Sequence, residues 1–441
     1  MFTLFANKNI RYFCLTVSLL ALLSGALRTA IPLLARQSGY GVVGVSWAQG
    51  LFSLAWPIFG ILAGALLDRC DKIKLATSAL LIFMLLHIVL FVLLMIQIAP
   101  AEQIFFYATI AGFIVVSAEA YIMTIPPLIM EGERLMTFYS IVLFLDFGVS
   151  YFLAPVITSS ILAHSTLLFL GLLIVLFITL IFTARHAVPT SPTLDKENIT
   201  FRYIIAGFRF IFSNRHLTSL TLLTFFLSVV FGAFLTSFIF FVTDGRYLGL
   251  HSSQYGVMFA AYALGTMAGA LFAPRIRYAP VRLAVLIDGL GTVVLLLIPA
   301  FSKSAVVVWG VTFTAGVGAS LWFIGVTAFR QRLTPKQLLG RANSAFRVIG
   351  YAGMPVGSFL VGVLGSFISL QFAAAFIAGL LLVAIAITLP FLWQADHIDT
   401  PQPCHEMTAA LKKNIGRKRH TYPMTQSIDL FFGRGNYHHN G

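Results

Sequence analysis

Twelve apolar stretches of about 20 residues recur along the 441-residue chain between residues 12 and 393. A helix of that length crosses the roughly 30 Å hydrocarbon core of a bilayer. The composition agrees, because 59% of the residues are hydrophobic and only 10% are charged, against about 25% charged in soluble domains. The sequence therefore predicts an all-α polytopic membrane protein with twelve transmembrane helices. The predicted spans are 12–34, 43–67, 75–98, 104–125, 136–162, 165–184, 217–243, 254–273, 283–302, 304–329, 342–365 and 369–393.

Lysine and arginine residues test this count, because an error of one span would invert the side of every later loop. Of the 29, Arg28 and Arg347 lie inside spans. Arg36, Arg246 and Lys303 lie in loops on one side of the membrane. All the others fall on the opposite side. Basic loops are retained in the cytoplasm, so both termini are predicted to be cytoplasmic. The first span is predicted to be a retained helix, because it is too long for a signal peptide and no small-residue cleavage site precedes Arg28.

The longest interval between spans divides the chain into six spans and six. We predict an N-terminal six-helix half at residues 1–184, a cytoplasmic central loop at 185–216, a C-terminal six-helix half at 217–393 and a cytoplasmic tail at 394–441. Residues 201–212 of the loop are predicted to form a helix that lies in the membrane interface. The alternative is that they simply extend the seventh span.

The two halves share a glycine pattern at an offset of 205 residues. Gly60 and Gly64 near the end of span two match Gly265 and Gly269 near the end of span eight. A Gly-x-x-x-Gly face lets neighbouring helices approach closely. Two related six-helix halves are typical of secondary transporters, whose substrate site lies between the halves near the membrane midplane. The sequence therefore predicts two six-helix pseudo-repeats.

The motif Gly64-x-x-x-Asp68-Arg69-x-x-Lys72 resembles the signature between spans two and three of the major facilitator superfamily. The resemblance implies a monomeric, multi-pass transporter of the bacterial inner membrane, with Gly64, Asp68, Arg69 and Lys72 as a gating motif. Asp68 would accept hydrogen bonds from the N-terminus of the eleventh span and favour one closed state. The alternative is that Asp68 only ends its helix among solvated charges. The second loop glycine of the signature is replaced by Asp71 here.

Three shorter segments, at residues 206–211, 253–257 and 333–344, resemble the efflux branch of this superfamily, which contains enterobactin exporters and macrolide-efflux proteins. The resemblance implies an antiporter that exports a small molecule by alternating access in exchange for protons. No residue encodes the direction of transport, so an uptake permease stays open, and so does a membrane sensor that transports nothing.

Four ionisable residues lie inside predicted spans that line the central cavity in this superfamily: Arg28, Glu119, Asp146 and Arg347. A charge at mid-bilayer costs about 2.5 to 3.5 kcal/mol, so each is a functional candidate. Tyr351 shares a polar helix face with Arg347. We predict that these five residues form the substrate and proton pathway, with Glu119 or Asp146 carrying the proton. The alternatives are that the arginines extend to the membrane surfaces and that the acids form a salt bridge without a transport role.

Other polar and aromatic residues in the spans are interpreted as structural. His87 and Asp288 fall in outer spans, where they are predicted to pack the bundle. Aromatic residues such as Trp56 and Tyr262 could stack on a substrate. Because the chain contains 42 phenylalanines, however, these aromatic residues are predicted to face lipid.

The sequence contains no His-Glu-x-x-His, Gly-x-Ser-x-Gly or Gly-x-x-x-x-Gly-Lys-Ser/Thr motif, so no enzyme activity, metal or cofactor is predicted. The expected partners are a small-molecule substrate, protons and the lipid bilayer, and not nucleic acid. The predicted substrate is a small polar or aromatic natural product, a siderophore, as the resemblance to enterobactin exporters implies. Arg28 and Arg347 agree with this prediction, because planar guanidinium groups bind carboxylate or catecholate oxygens in pairs. A lipophilic antibiotic is the alternative.

Overall fold

The computed structural model describes residues 8–59, 72–96, 102–129, 138, 141–142, 144–187, 201–276, 281–335 and 338–395. Within these ranges every regular element is helical. The helices are α1 (Lys8–Gln37), α2 (Val42–Ser53), α3 (Lys72–Met95), α4 (Gln103–Thr124), α5 (Ala154–His164), α6 (Thr166–Ala187), α7 (Phe201–Ser213), α8 (Arg215–Thr243), α9 (Ser253–Ile276), α10 (Val281–Phe301), α11 (Ala305–Leu333), α12 (Leu339–Tyr351), α13 (Gly353–Phe367) and α14 (Leu370–Ala395). A single turn, Pro126–Ile129, and a π-helical turn, Gly148–Leu153, lie between α4 and α5.

The twelve predicted spans coincide with helices wherever the chain is described. Ten helical stretches are long and apolar enough to cross a membrane. The two remaining spans correspond to α3, whose apolar part is Thr77–Leu93, and to α9. The prediction of an all-α fold with twelve membrane helices in two pseudo-repeats is therefore confirmed. We call α1–α6 the first half and α8–α14 the second half.

The predicted gating motif lies at the edge of the described chain. Gly64, Asp68 and Arg69 fall outside the described residues, and of Lys72 only the backbone is described, as the first residue of α3. The tail beyond Ala395 also falls outside them. The gating role, the domain boundaries and the cytoplasmic location of both termini therefore stay predictions.

The Gly-x-x-x-Gly face of the second half packs two helices together. A side chain on Gly265 would collide with the backbone carbonyl of Phe313, and a Cβ on Gly269 would lie 2.8 Å from the carbonyl oxygen of Val317. Both partners belong to α11. The missing side chains therefore let α9 and α11 pack backbone to backbone, as the pattern predicts.

The segment before the seventh span forms a separate helix. After α7 ends at Ser213, Asn214 takes an extended conformation with φ −114° and ψ 112°. Its side-chain oxygen accepts hydrogen bonds from the backbone N–H groups of His216, at 3.0 Å, and Leu217, at 3.3 Å. This is an N-cap, which satisfies two N–H groups that a new helix leaves without partners. The structure thus ends α7 and begins α8 afresh instead of extending the seventh span.

The fifth span is interrupted by the π-helical turn. Pro155 has no N–H and its ring displaces the carbonyl four residues earlier, and the wide turn just before it accommodates that disruption. Within the turn, the hydroxyl oxygen of Ser150 lies 2.9 Å from the Ala21 carbonyl oxygen and 3.2 Å from Oδ1 of Asp146. The turn therefore links the segment that carries Asp146 to α1.

The two halves meet closely at the end of the bundle that carries Tyr40, in the connection between α1 and α2, which we call the Tyr40 end. The Ser159 hydroxyl of α5 donates a hydrogen bond to the Ser253 carbonyl at 2.9 Å. A side chain on Gly256 would collide with the Pro155 carbonyl, so α5 and α9 touch through their backbones. Helices α2 and α13 also pack against each other across the two halves.

Candidate functional site

A cavity of about 100 Å³ lies between the two halves. Helices α1, α2 and α4 and the π-helical turn line it from the first half, and α8, α12 and α13 line it from the second. Its walls combine charged, aromatic and apolar side chains. The lining residues are Arg28, Phe52, Ser53, Trp56, Glu119, Tyr151, Phe231, Leu235, Tyr351 and Met354.

Glu119 is the centre of the charged wall. Nη2 of Arg28 donates to its Oε1 at 3.3 Å, and the indole N–H of Trp56 donates to its Oε2 at 3.1 Å. Nη2 of Arg347, from the second half, lies 3.7 Å from the same Oε2. The side chain of Glu119 is 25% exposed, so the carboxylate has access to the cavity. One carboxylate thus joins cations from both halves.

The guanidinium group of Arg28 packs against two aromatic rings of the site. Its guanidinium carbon lies 4.4 Å from the ring centroid of Tyr151 and 6.0 Å from that of Trp56. The residue is only 8% exposed, so it does not extend to a membrane surface. Its Nη1 is enclosed and has no hydrogen-bond partner within the described part of the chain. Since donor nitrogens without partners are costly in an apolar site, Nη1 is a candidate donor to a ligand only in an arrangement of the bundle that opens this wall.

Arg347 and Tyr351 occupy one face of α12, four residues apart. The Arg347 guanidinium lies 5.7 Å from the Tyr351 ring centroid, and Tyr351 itself lines the cavity. Although the Arg347 side chain is 51% exposed, it is directed toward Glu119. The ion pair crosses from α12 to α4, so this contact depends on the relative position of the halves.

Asp146 lies beside this cluster without joining it. It is within electrostatic range of Arg28 and Glu119, and its Oδ1 accepts the Ser150 hydrogen bond. Among the described residues it makes no ion pair within 4.0 Å. The structure therefore brings four predicted residues together, Arg28, Glu119, Arg347 and Tyr351, and places the fifth next to them.

The prediction that Trp56 faces lipid was wrong. Trp56 is 7% exposed and donates to Glu119, so it faces the cavity and not lipid. Tyr262 lies with its ring centroid 5.5 Å from that of Phe231, a cavity residue. The signal for Trp56 was present in the sequence, because Ser53 precedes it by three residues and marks a polar face of the helix.

Tyr151 was missed at the sequence level. It follows Ser150 in the π-helical turn, where helical spacing does not give the direction of a side chain. A wide turn cannot be read from apolar periodicity, because it shifts the register of every residue after it. The contact between Tyr151 and Arg28 is therefore visible only in three dimensions.

The outer-span residues have packing partners. His87 is buried, with Nδ1 2.9 Å from the Phe83 carbonyl oxygen and Nε2 2.9 Å from the Tyr107 hydroxyl. Asp288 is buried where Gly318 of α11 packs against its backbone. The described residues contain no group of three His, Cys, Asp or Glu side chains that could hold a metal ion.

Sequence and structure similarities agree on one class of protein. A sequence profile described as transmembrane secretion effector matches residues 34–419. No curated protein matches the sequence. A mutant of the nucleoside transporter NupG superposes with a TM-score of 0.73 at 12% identity, covering 87% of this chain and 99% of that one.

Two further solved structures have the same fold. A bacterial homologue of the human lysosomal transporter Spinster, in an inward-facing and unoccupied conformation, has a TM-score of 0.65 at 13% identity, covering 89% of this chain and 98% of that one. A bacterial homologue of the iron transporter ferroportin, in an outward-facing state, has a TM-score of 0.61 at 16% identity, covering 89% and 100%. At these identities the likeness establishes the fold alone.

Proposed function

The chain belongs to the transmembrane secretion effector family of the major facilitator superfamily, and we propose that it exports a siderophore from the bacterial cytoplasm by alternating access in exchange for protons. Members of this superfamily are transporters that carry small molecules across membranes and are generally not enzymes. The direction, the substrate and the coupling ion are the parts that we propose.

The observation that carries the proposal is the carboxylate of Glu119 shared between Arg28 and Arg347. These three side chains come from α1, α4 and α12, so the network spans both halves. In a low-dielectric cavity such charge pairs are strong. Neutralising the carboxylate, or occupying it with a ligand, changes the attraction between the halves. Binding in the cavity can therefore bias the equilibrium between two arrangements of the bundle.

Proton exchange requires that substrate binding and proton binding disfavour each other, and this effect is reciprocal. We assign this competition to the carboxylate of Glu119. As an ion it can accept hydrogen bonds from hydroxyl groups of a ligand, whereas a proton on the carboxylate removes acceptor capacity. Asp146, beside the cluster, is the second carboxylate through which a proton could pass.

A catechol ring fits the remaining features of the site. Its hydroxyl groups would donate to Glu119, and its face would stack among Trp56, Tyr151 and the Arg28 guanidinium. In an arrangement that opens this wall, the enclosed Nη1 of Arg28 offers a further donor to a catechol oxygen. One proton that returns down about 100 mV supplies about 2.3 kcal/mol, which sustains an outward gradient of roughly 50-fold.

Deletion of the gene in the native host under iron limitation tests the substrate. We expect siderophore to accumulate inside the cells and to decrease in the medium. Inverted membrane vesicles test the direction, because an exporter accumulates substrate in them when a pH gradient is imposed. Uphill accumulation only in right-side-out vesicles would show that the protein is an uptake permease.

Efflux of lipophilic drugs is the second candidate, favoured by the apolar part of the cavity wall. Phe52, Phe231, Leu235 and Met354 would contact a molecule without polar groups. The same deletion strain separates the two functions. Unchanged siderophore secretion together with increased sensitivity to a macrolide or a dye would reject the siderophore and support drug efflux.

A further inference from the structure

Basic residues gather at the junction of α11 and α12 in a region of the sequence without acids. Arg330, Arg332, Arg341 and Arg347 all fall there, and residues 289–395 contain no Asp or Glu. In a membrane protein the charge of a buried guanidinium needs a partner, because desolvation is costly. The second half does not supply that partner locally.

Arg330 is the buried member of this group. It is 8% exposed, and its guanidinium carbon lies 4.1 Å from the ring centroid of Phe346 on α12. Stacking on a ring uses the face of the guanidinium and leaves its N–H donors free in the plane. Its Nε is enclosed without a hydrogen-bond partner, and among the described residues Arg330 makes no ion pair. It is therefore a buried cation with one donor, Nε, that no described residue uses.

The dipole at the C-terminus of α11 does not by itself explain the position of Arg330. Basic residues in the last turn stabilise the negative end of the helix dipole, and both Arg330 and Arg332 lie in the last turn of α11. Arg332 fulfils that role while remaining exposed to solvent. Arg330 is instead turned inward over Phe346.

Arg330 lies within electrostatic range of residues at the cavity. The charged or ionisable neighbours that act on Arg330 are Arg347 and Tyr351. Tyr351 lines the cavity, and Arg347 reaches Glu119 across the interface between the halves. Among the described residues, the carboxylate of this network is Glu119, and it already pairs with Arg28 and Arg347. The wall formed by α11 and α12 therefore carries a positive charge that the described residues leave uncompensated.

We infer that Arg330, together with Arg347, binds an anionic oxygen group of the transported molecule: a carboxylate, sulfonate or phosphate. This inference rests on the proposed function, because it adds an anion subsite to the cavity of the same exporter. The half-exposed Arg347 attracts the anion, and the in-plane donors of Arg330 bind its oxygens. The aromatic part of the ligand then lies between Tyr351 and Trp56.

A membrane lipid phosphate has the same chemistry. We assign the subsite to the solute, because Arg330 is buried between two helices and its electrostatic neighbour Tyr351 lines the cavity. A lipid-binding arginine would instead be exposed, as Arg332 is.

The test uses the full-length protein in nanodiscs of phosphatidylcholine and two probes that differ by one carboxylate, 2,3-dihydroxybenzoate and catechol. Calorimetry should show that the parent protein binds 2,3-dihydroxybenzoate about tenfold more tightly than catechol, as expected for one charge-assisted hydrogen bond. Arg330→Gln should lose this preference and keep its affinity for catechol. Arg332→Gln makes the same change on an exposed arginine and should behave as the parent. Arg330→Lys, which keeps the charge without the planar donors, should retain part of the preference.

The outcomes separate the subsite from the proposed function. If the parent binds catechol without preferring the carboxylate, or if Arg330→Gln keeps the preference, the subsite is wrong and the proposed function stands. If the parent binds neither probe, both are rejected. If phosphatidylglycerol in the nanodisc abolishes the preference, the site binds a lipid phosphate and not a solute. Loss of binding of both probes in Arg330→Gln, with parent affinities in Arg330→Lys, would show a role in packing and overturn the subsite.

Discussion

Glu119 accepts from Arg28 and Trp56 and faces Arg347 from the opposite half. A hydrogen bond to a charged group contributes about 1.5 to 3 kcal/mol, so this single carboxylate controls several contacts at once. A neutral amide of the same shape keeps the packing and removes the charge. The consequences of that change distinguish a transport role from a purely structural salt bridge.

Glu119→Gln should abolish uphill transport while leaving passive exchange. In proteoliposomes with an imposed pH gradient of about 1.7 units, which is equivalent to about 100 mV, the roughly 50-fold accumulation of catechol expected for the parent should fall to equilibrium, because the amide cannot carry a proton. Glu102→Gln makes the same change at an exposed position that caps the same helix, α4, and should accumulate catechol as the parent does. Uphill accumulation by Glu119→Gln would show that the proton is carried elsewhere.

Arg28→Lys should weaken catechol binding about tenfold without preventing folding. The ammonium can replace the charge beside Glu119, but it has no planar face for Tyr151 and no counterpart of the unpaired Nη1. Arg36→Lys is the matched control, because Arg36 lies on the same helix and also stacks on a ring, with its guanidinium carbon 5.0 Å from the Phe240 ring centroid. Equal catechol affinities in calorimetry for parent and Arg28→Lys would mean that the guanidinium does not contact the ligand.

The sequence identified the charged part of the site but not its aromatic part. Arg28 and Glu119 could be found because a charge in a membrane span is costly and therefore rarely without purpose. Composition alone did not separate Trp56 from lipid-facing aromatics, and only its helical spacing from Ser53 could have done so. The Arg347–Glu119 contact also has no local signal, because it depends on how two halves of the chain pack together.

At the scale of elements, the length of the apolar runs predicts the membrane spans. It does not predict the irregular turns within them. Within the described residues every predicted span is helical, because backbone groups in lipid must be satisfied within the segment. The π-helical turn Gly148–Leu153 escaped prediction, since the hydrophobic pattern continues through it. Proline at position 155 was the sole hint, and it marks a disruption without giving its geometry.

The contact between α5 and α9 makes a prediction about conformation. Gly256→Leu would place a side chain against the Pro155 carbonyl, so the helices should separate at the Tyr40 end. Spin labels at His164 and Lys303, in a background in which Cys14, Cys70 and Cys404 are serine, should report a longer distance. Gly171→Leu is the control, because nothing lies within 4 Å of a Cβ at that glycine. An unchanged distance for Gly256→Leu would show that the two halves do not close through this contact.

At the scale of the whole molecule, substrate and proton can move in opposite directions or together. Which of the two occurs depends on whether substrate binding opposes or favours proton binding at Glu119. If a ligand donates hydrogen bonds to Glu119, then binding displaces protons, and proton entry can drive export. If a ligand anion instead displaced both Arg28 and Arg347 from Glu119, the freed carboxylate would gain a proton, and substrate and proton would travel together. An anion that Arg330 holds while Arg347 stays paired with Glu119 leaves the exchange mode in place. The same cavity can thus support exchange or co-transport according to which group the ligand engages.

Proton release on binding decides between these two modes. We expect catechol added to the detergent-solubilised protein in weak buffer to release protons wherever the carboxylates of the site bind them, and its affinity to decrease as the pH falls. Glu119→Gln should release none. Asp244→Asn is the control outside the membrane spans: hydrogen bonds from Arg246 lower the pKa of the Asp244 carboxyl, so it stays ionised at pH values where an unperturbed aspartate would bind a proton. Its contribution to stability is present above the unfolded-state pKa of about 3.9 and is lost only as the pH falls through the lowered folded-state pKa. Asp244→Asn should therefore leave proton release unchanged. Proton uptake on catechol binding by the parent would show that catechol binding favours proton binding. The protein would then be a symporter, because only a ligand that competes with the proton can be exported at the expense of proton entry.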